Sequence, residues 1–252
     1  MFEFSRRLHG ATLLGRLLRL PLKVLPSRLV VPVLSGTNRG MKWEVGASTH
    51  GCWLGFYEKD KQELIDRLVK PGMRAFDIGA NAGFYTLALS RLVGEHGKVW
   101  AFEPLAENVV NLLKHVRANN CNNVALVQGA LSDAAGISGF NIGSNNCVGA
   151  LGNSQGYLVP TMTLDGLLAT GQIESPDIVK MDVEGAESRV LAGSVGILKL
   201  HKAVWVVALH GNEQREAVIT AFRTYGYNVF SIDGTEVGED FAGDEIWATP
   251  GR

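Results

Sequence analysis

Between residues 77 and 83 the chain reads Asp-Ile-Gly-Ala-Asn-Ala-Gly, an acid followed by small residues that let backbone amides come close to a ligand. Gly79 permits a tight turn and Gly83 permits close packing where a helix starts. Amides exposed at such a helix start, those of Ala80 and Asn81 included, favour a polar or anionic group. A dinucleotide-binding turn would read GxGxxG. Here the acid Asp77 would repel a pyrophosphate and suits a ligand with a cationic group nearby, such as an amino-acid ammonium. That chemistry points to S-adenosylmethionine rather than to NAD. A second acid, Glu103, lies 26 residues further on and is followed by Pro104. Doubly wound nucleotide-binding folds place the carboxylate that accepts the ribose hydroxyls at about that separation.

Methyl transfer from a sulfonium asks the protein to align an acceptor oxygen, exclude water and remove one proton. Asp182, just beyond one strand, and His210, at the end of another, are the candidates for that last task. An imidazole titrates near neutrality and serves as a base without a large shift. Glu184, Asn145 and Asn146 are expected to face the acceptor, with the Gly/Asn-rich stretch 142–149 acting as the loop that sets acceptor choice. Glu187 is expected to sit at a helix start as an N-terminal acid. Asp182, Glu184 and Asp133 are the carboxylates that could hold a divalent cation; without a close carboxylate pair, no metal is expected. Tyr57 and Glu58 suit the methionine end of the cofactor or the rim of the acceptor pocket. Trp53 and Phe56 are expected to cover the site or to pack beneath it.

Strands must carry these residues to one edge of a sheet. Leu64, Ile65, Leu68 and Val69 recur at helical spacing and stop at Pro71-Gly72. Strands follow over 74–77, 98–102, 124–128, 177–181 and 203–209, with a terminal pair over 227–232 and 245–248. Helices are expected over 85–93 and 106–119. Strands separated by helices of this length make βαβ units, so the fold is a doubly wound α/β sheet, mostly parallel and seven-stranded. Ligands of such sheets bind outside the carboxyl ends of the strands, where Asp77, Glu103, Asp182 and His210 all fall.

In order along the chain, Trp53-Leu54-Gly55-Phe56-Tyr57-Glu58, the 77–83 motif, Phe102-Glu103-Pro104, Ala130-Leu131-Ser132-Asp133 and Lys180-Met181-Asp182-Val183-Glu184-Gly185-Ala186-Glu187 resemble the FkbM family of methyltransferases. The likeness runs from about residue 40 to the C-terminus. It implies a class I, Rossmann-like S-adenosylmethionine-dependent methyltransferase acting on a hydroxyl of a small metabolite, sugar or polyketide-like scaffold. It implies that Asp77, Gly79, Ala80, Asn81 and Gly83 form the cofactor loop. It likewise makes Glu103 the ribose ligand and sets Ala130 and Leu131 along the adenine. Similar proteins often carry an acid two residues before a His after the fifth strand; Ala208-Leu209-His210 keeps only the His.

Composition agrees with an enzyme of this size. The 252 residues are 46% hydrophobic and 19% charged, enough to bury a core, and 30 glycines exceed the usual share of ~7%. Cys52, Cys121 and Cys147 form no paired spacing, which argues against a disulfide framework or zinc site and fits a reducing, cytoplasmic setting. A net charge of −1 gives no reason to expect a nucleic-acid partner. Residues 1–40 nonetheless carry seven basic side chains against Glu3 alone. With leucines between them, they read as a basic amphipathic helical extension ahead of a domain spanning 41–252. That extension is expected to act as a lid, a targeting peptide or a peripheral membrane contact. The competing readings are an NAD(P)-dependent oxidoreductase on the same sheet and a degenerate methyltransferase fold used as a binding module.

Overall fold

The computed structural model describes residues 25–142, 149–152 and 157–251. Asn145, Asn146 and most of the basic extension therefore lie outside the described residues. A hairpin of β1 (Val30–Pro32) and β2 (Lys42–Glu44) opens the described chain and spans residue 40. Two helices follow, α1 (His50–Leu54) and α2 (Lys59–Leu68), which lead into β3 (Arg74–Ile78).

The main sheet continues through α3 (Phe84–Val93), β4 (Lys98–Glu103), α4 (Ala106–Ala118) and β5 (Val124–Gln128). A smaller sheet intervenes, made of β6 (Ala130–Leu131), β7 (Gly136–Ile142), β8 (Gly149–Leu151) and β9 (Leu158–Met162), in the order β6-β9-β7-β8. The chain then returns through α5 (Leu164–Ala169), β10 (Ile178–Met181), α6 (Glu187–Ala192), α7 (Val195–Lys199), β11 (Val204–Ala208), α8 (Asn212–Thr224), β12 (Tyr227–Ser231) and β13 (Glu245–Pro250). The seven strands run in the order β12-β13-β11-β10-β3-β4-β5, and only β13 opposes the rest. The topology is that of a class I methyltransferase, Rossmann-like sheet.

The period-two alternation of each strand sorts its side chains between two layers. Phe76, Ile78, Trp100, Phe102, Val179 and Met181 share one core with α6, α7 and α8. Ala75, Val99 and Ile178 face the other, with Trp43, Trp53, Ile65 and the apolar side of α3. Trp53 is thus a core residue. Phe56 is 54% exposed, so it does not pack beneath the site. The smaller sheet was not foreseen: the glycines of Gly136–Ile142 dilute its strand signal, and the expected loop over 142–149 starts and ends inside strands. No helix among the described residues is long and apolar enough to cross a membrane.

His115 of α4 joins the opening hairpin to the turn after β3. Its Nδ1 lies 2.7 Å from the carbonyl oxygen of Ala82, and its Nε2 accepts the Glu44 N–H at 3.0 Å. The ring also stacks on Trp43 at 4.0 Å. With Nε2 accepting, Nδ1 carries the proton and the imidazole is neutral. Burial holds its pKa below the ordinary histidine value, against the pull of the Ala82 carbonyl.

Two tests follow from this packing. Phe222, fully buried between Trp205 and Tyr227, should cost about 3–5 kcal/mol on truncation to Ala in urea denaturation, whereas Phe56→Ala should stay within about 0.5 kcal/mol. For His115, the unfolded chain takes up a proton near pH ~6.5 that the folded chain refuses, so its contribution is present above that pH and lost as pH falls. Urea midpoints should therefore drop more steeply below pH ~6.5 in the wild type than in His115→Gln, and parallel profiles would contradict the neutral assignment.

Candidate functional site

The turn after β3 owes its shape to left-handed backbone at Gly79 (φ 73°) and Asn81 (φ 50°). A Cβ on Gly79 would stand 1.8 Å from the carbonyl oxygen of Asp182, so glycine alone lets this turn touch the loop that follows β10. Asn81 tolerates its conformation as few residues do, and its Oδ1 accepts the Ala82 N–H at 2.6 Å. Gly83 (φ 94°) caps α3, and a Cβ there would meet Leu112 Cγ at 2.9 Å, so it lets α3 and α4 pack closely.

Asp77 lies beneath this turn, fully buried, and is not in the wall of the cavity above. Strand register sets it directly opposite Lys180 of β10. Its Oδ1 is 3.1 Å from Lys180 Nζ, and its Oδ2 accepts from Thr86 Oγ1 at 2.6 Å. Lys180 Nζ also donates to the Gly79 carbonyl at 2.9 Å. Asp77, expected at the cofactor, thus supports the turn from below through Lys180 and Thr86.

Above the turn, a cavity of about 130 Å³ runs along the carboxyl ends of β3, β4 and β10. Gly79, Ala80, Asn81, Glu103, Pro104, Ala130 and Leu131 line it, joined by Phe140 and Leu151 of the smaller sheet and by Tyr57, Tyr85, Asp182 and Glu184. Glu103 is buried and accepts from Leu105 N and Asn108 Nδ2 through Oε1 and from Asn81 N through Oε2. Burial raises its pKa, and the amides of Leu105 and Asn81 oppose the rise. A carboxylate oxygen has two acceptor sites, so Oε2 can take a hydroxyl beside the Asn81 N–H.

The other end of the cavity is acidic. His210, following β11, stands with Nε2 3.7 Å from Asp182 Oδ1 and 3.4 Å from Glu184 Oε2. Its Nδ1 is 2.7 Å from Oε1 of Glu187, a fully buried side chain that also accepts the Gly185 N–H. The Glu187 contact raises the pKa of His210; burial opposes it, and Asp182 and Glu184 add to it. Burial pushes Asp182 up, yet Lys180, Lys61 and His210 outweigh it and hold that carboxyl low. Glu184 is raised, by burial first. Asp133, weighed as a cation ligand, is instead on the surface with Arg189 at 3.0 Å. Asp182, Glu184 and His210 do offer one donor atom each within 4.8 Å of one another. Lys61 and Lys180 already bring positive charge to Asp182.

Glu58 is not in the cavity wall but lies behind Tyr85, which is. It accepts from Tyr85 Oη at 2.9 Å and pairs with Lys61 at 2.7 Å. Strand pairing sets Glu245 opposite Ala208, so β13 brings a carboxylate to the end of β11. Sequence reasoning passed over Lys61, Lys180 and Glu245. A charged residue inside or beside an apolar strand was the signal available for Lys180; for Glu245 no signal exists until β13 is known to pair with β11.

Comparison with known proteins follows the same lines. The model of the methyltransferase FkbM domain matches residues 77–229, more than half of the chain. Protein-L-isoaspartate O-methyltransferase 1 of Arabidopsis thaliana is 32% identical over 57 residues, 23% of this chain and 25% of that protein. A probable cobalt-precorrin-6B C(15)-methyltransferase (decarboxylating) of Sulfurisphaera tokodaii is 36% identical over 63 residues, 25% of this chain and 33% of that protein. The matches thus span a third or less of these curated relatives. The crystal structure of methyltransferase FkbM from Methylobacillus flagellatus KT shares the fold, with a TM-score of 0.51 at 15% identity over 75% of this chain and 50% of that one. The chain belongs to the FkbM family of methyltransferases and has the fold of class I S-adenosylmethionine-dependent enzymes.

Proposed function

We propose that this protein transfers the methyl group of S-adenosylmethionine to a hydroxyl oxygen of a small acceptor, a metabolite, sugar or polyketide-like scaffold. The observation that carries the reading is that Asp182 and Glu184, in the wall of a cavity that also holds Glu103 and an apolar face, both lie against His210, which stands just outside that wall. Glu103 Oε2 would accept a ribose hydroxyl, while Ala130, Leu131 and Phe140 offer the apolar faces an adenine ring needs. The carboxylates of Asp182 and Glu184 suit the ammonium and sulfonium charges. When bound, the cofactor supplies an electrophilic methyl group and its own leaving group.

His210 is the group that takes the proton of the acceptor. Glu187 holds its Nδ1–H, which leaves the Nε2 lone pair facing Asp182 and Glu184, and those acids stabilise the imidazolium once formed. Tyr57 and Tyr85, whose pKa values burial pushes up, stay neutral and help keep water out. Asn145 and Asn146 remain our candidates for acceptor contacts, and the free thiols of Cys52 and Cys121 fit work in the cytoplasm.

Calorimetry with S-adenosylmethionine, S-adenosylhomocysteine and NAD tests the cofactor. The first two should bind and NAD should not, and Glu103→Gln should weaken binding by about 1–3 kcal/mol. Binding of NAD alone would establish the oxidoreductase reading; binding of none would favour a degenerate fold. With labelled methyl donor and metabolite extract, His210→Ala and Asp182→Asn should lower incorporation about 10²-fold or more, with cofactor affinity held in the first and reduced far less than incorporation in the second. Because the base must be neutral and its pKa lies above the ordinary histidine value, incorporation should rise with pH through a midpoint above ~6.5. A rate flat from pH 6 to 9 would remove His210 from the reaction.

A further inference from the structure

Lys61 is a lysine with 2% of its side chain exposed, a placement lysines almost never adopt without partners. Its Nζ is 2.7 Å from Glu58 Oε2, 2.5 Å from Glu245 Oε1 and 3.8 Å from Asp182 Oδ2. These partners come from three distant parts of the chain: the cap of its own helix α2, the start of β13, and the loop after β10. The ammonium also stands 5.7 Å from the ring centroid of Tyr85, a residue of the cavity wall. Burial by itself would drive the proton off Lys61; Asp182, Glu58 and Glu245 together outweigh that and hold its pKa above the ordinary lysine value.

The two oxygens of Asp182 divide the neighbourhood. Oδ2 faces Lys61 and Oδ1 faces His210 Nε2. Asp182 makes these contacts at 3.7–3.8 Å, too long for a hydrogen bond to fix its orientation, so the direction of the carboxylate is set by charge. We propose that Lys61 is a positioning residue for methyl transfer: anchored by Glu58 and Glu245, it keeps Asp182 ionised and turned so that the other oxygen serves His210. This rests on the reading of Asp182 and His210 given above and adds to it a residue outside the stretch matched by the family model, residues 77–229. It also gives Glu245 a task, since its pairing opposite Ala208 brings a carboxylate beside the end of β11, two residues before His210.

The test needs no acceptor. The titration of the His210 imidazole is followed by NMR in the full chain, assigned with His210→Gln, for wild type, Asp182→Asn, Lys61→Met and the double variant. Asp182, Glu184 and Glu187 face this ring, and Lys61 and Lys180 stand behind Asp182, so the cycle isolates one of several charges. Removing the Asp182 charge should lower the His210 midpoint by about one pH unit in the wild-type background. In the Lys61→Met background the same change should have less than half that effect, and Lys61→Arg should restore it. An equal effect of Asp182→Asn in both backgrounds would overturn the role of Lys61 while leaving the Asp182–His210 pairing intact. No effect in either background would overturn both. Should Lys61→Met fail to fold, Glu245→Gln keeps the lysine and removes an anchor; an undiminished Asp182 effect there would equally overturn the proposal. Loss of S-adenosylmethionine binding in the wild type with the coupling preserved would sink the cofactor reading and leave Lys61 in its role.

Discussion

The ion pair of Lys180 and Asp77 is the interaction on which the rest of the site depends. Two charges lie in the middle of the sheet, in strands that are apolar apart from Arg74 at the start of β3, and each would be costly to bury alone. Side by side in register, they neutralise one another, and Lys180 spends a further donor on the carbonyl of Gly79. The turn after β3 is thereby fastened to β10 from below. From above, the loop after β10 presses its Asp182 carbonyl against the missing side chain of Gly79. The two loops that flank the cavity are clamped to each other before any ligand arrives, and preorganisation of this kind is what a reaction limited by alignment requires.

Around this clamp, charge is layered rather than scattered. Lys180 and Lys61 stand on the same side of the sheet, both near the ring of Tyr85, and Asp182 senses both. Glu187, buried completely, governs the tautomer of His210 from behind, in the manner of an orienting carboxylate behind an imidazole. The residues that hold the cavity's acids in a defined charge state are buried or half-buried and come from α2, α6, β10 and β13.

How much of this the sequence displays depends on whether a feature is local. The seven strands are legible because short apolar runs alternate with helical periods, and the turn at 77–83 is legible because glycines and an acid are adjacent. The smaller sheet is hidden because Gly136 and Gly139 weaken β7 and because its pairing is long-range. Asp77 is conspicuous in the sequence yet its partner is not, since nothing in a linear reading announces that residue 180 will be opposite residue 77. Glu245 and Lys61 are hidden for the same reason: each is an ordinary surface-type residue until strand order brings three segments together. Glu187 reads as a helix-start acid, and its amide contact with Gly185 fits that reading, but its hold on His210 depends on a strand 20 residues away.

The neighbouring of β3 and β10 has a kinetic side. Their contacts join residues about 100 apart in sequence, as in the bond from Lys180 to Gly79, while β4 and β5 lie beside β3 through short connections. Closing a long loop costs entropy that local pairing does not. During synthesis the half-sheet β3-β4-β5 therefore has the means to form first, with Asp77 open to water at its edge. Only when β10 arrives does that edge become the floor of a cleft, so the docking of a single strand converts a solvated carboxylate into the buried foundation of the site.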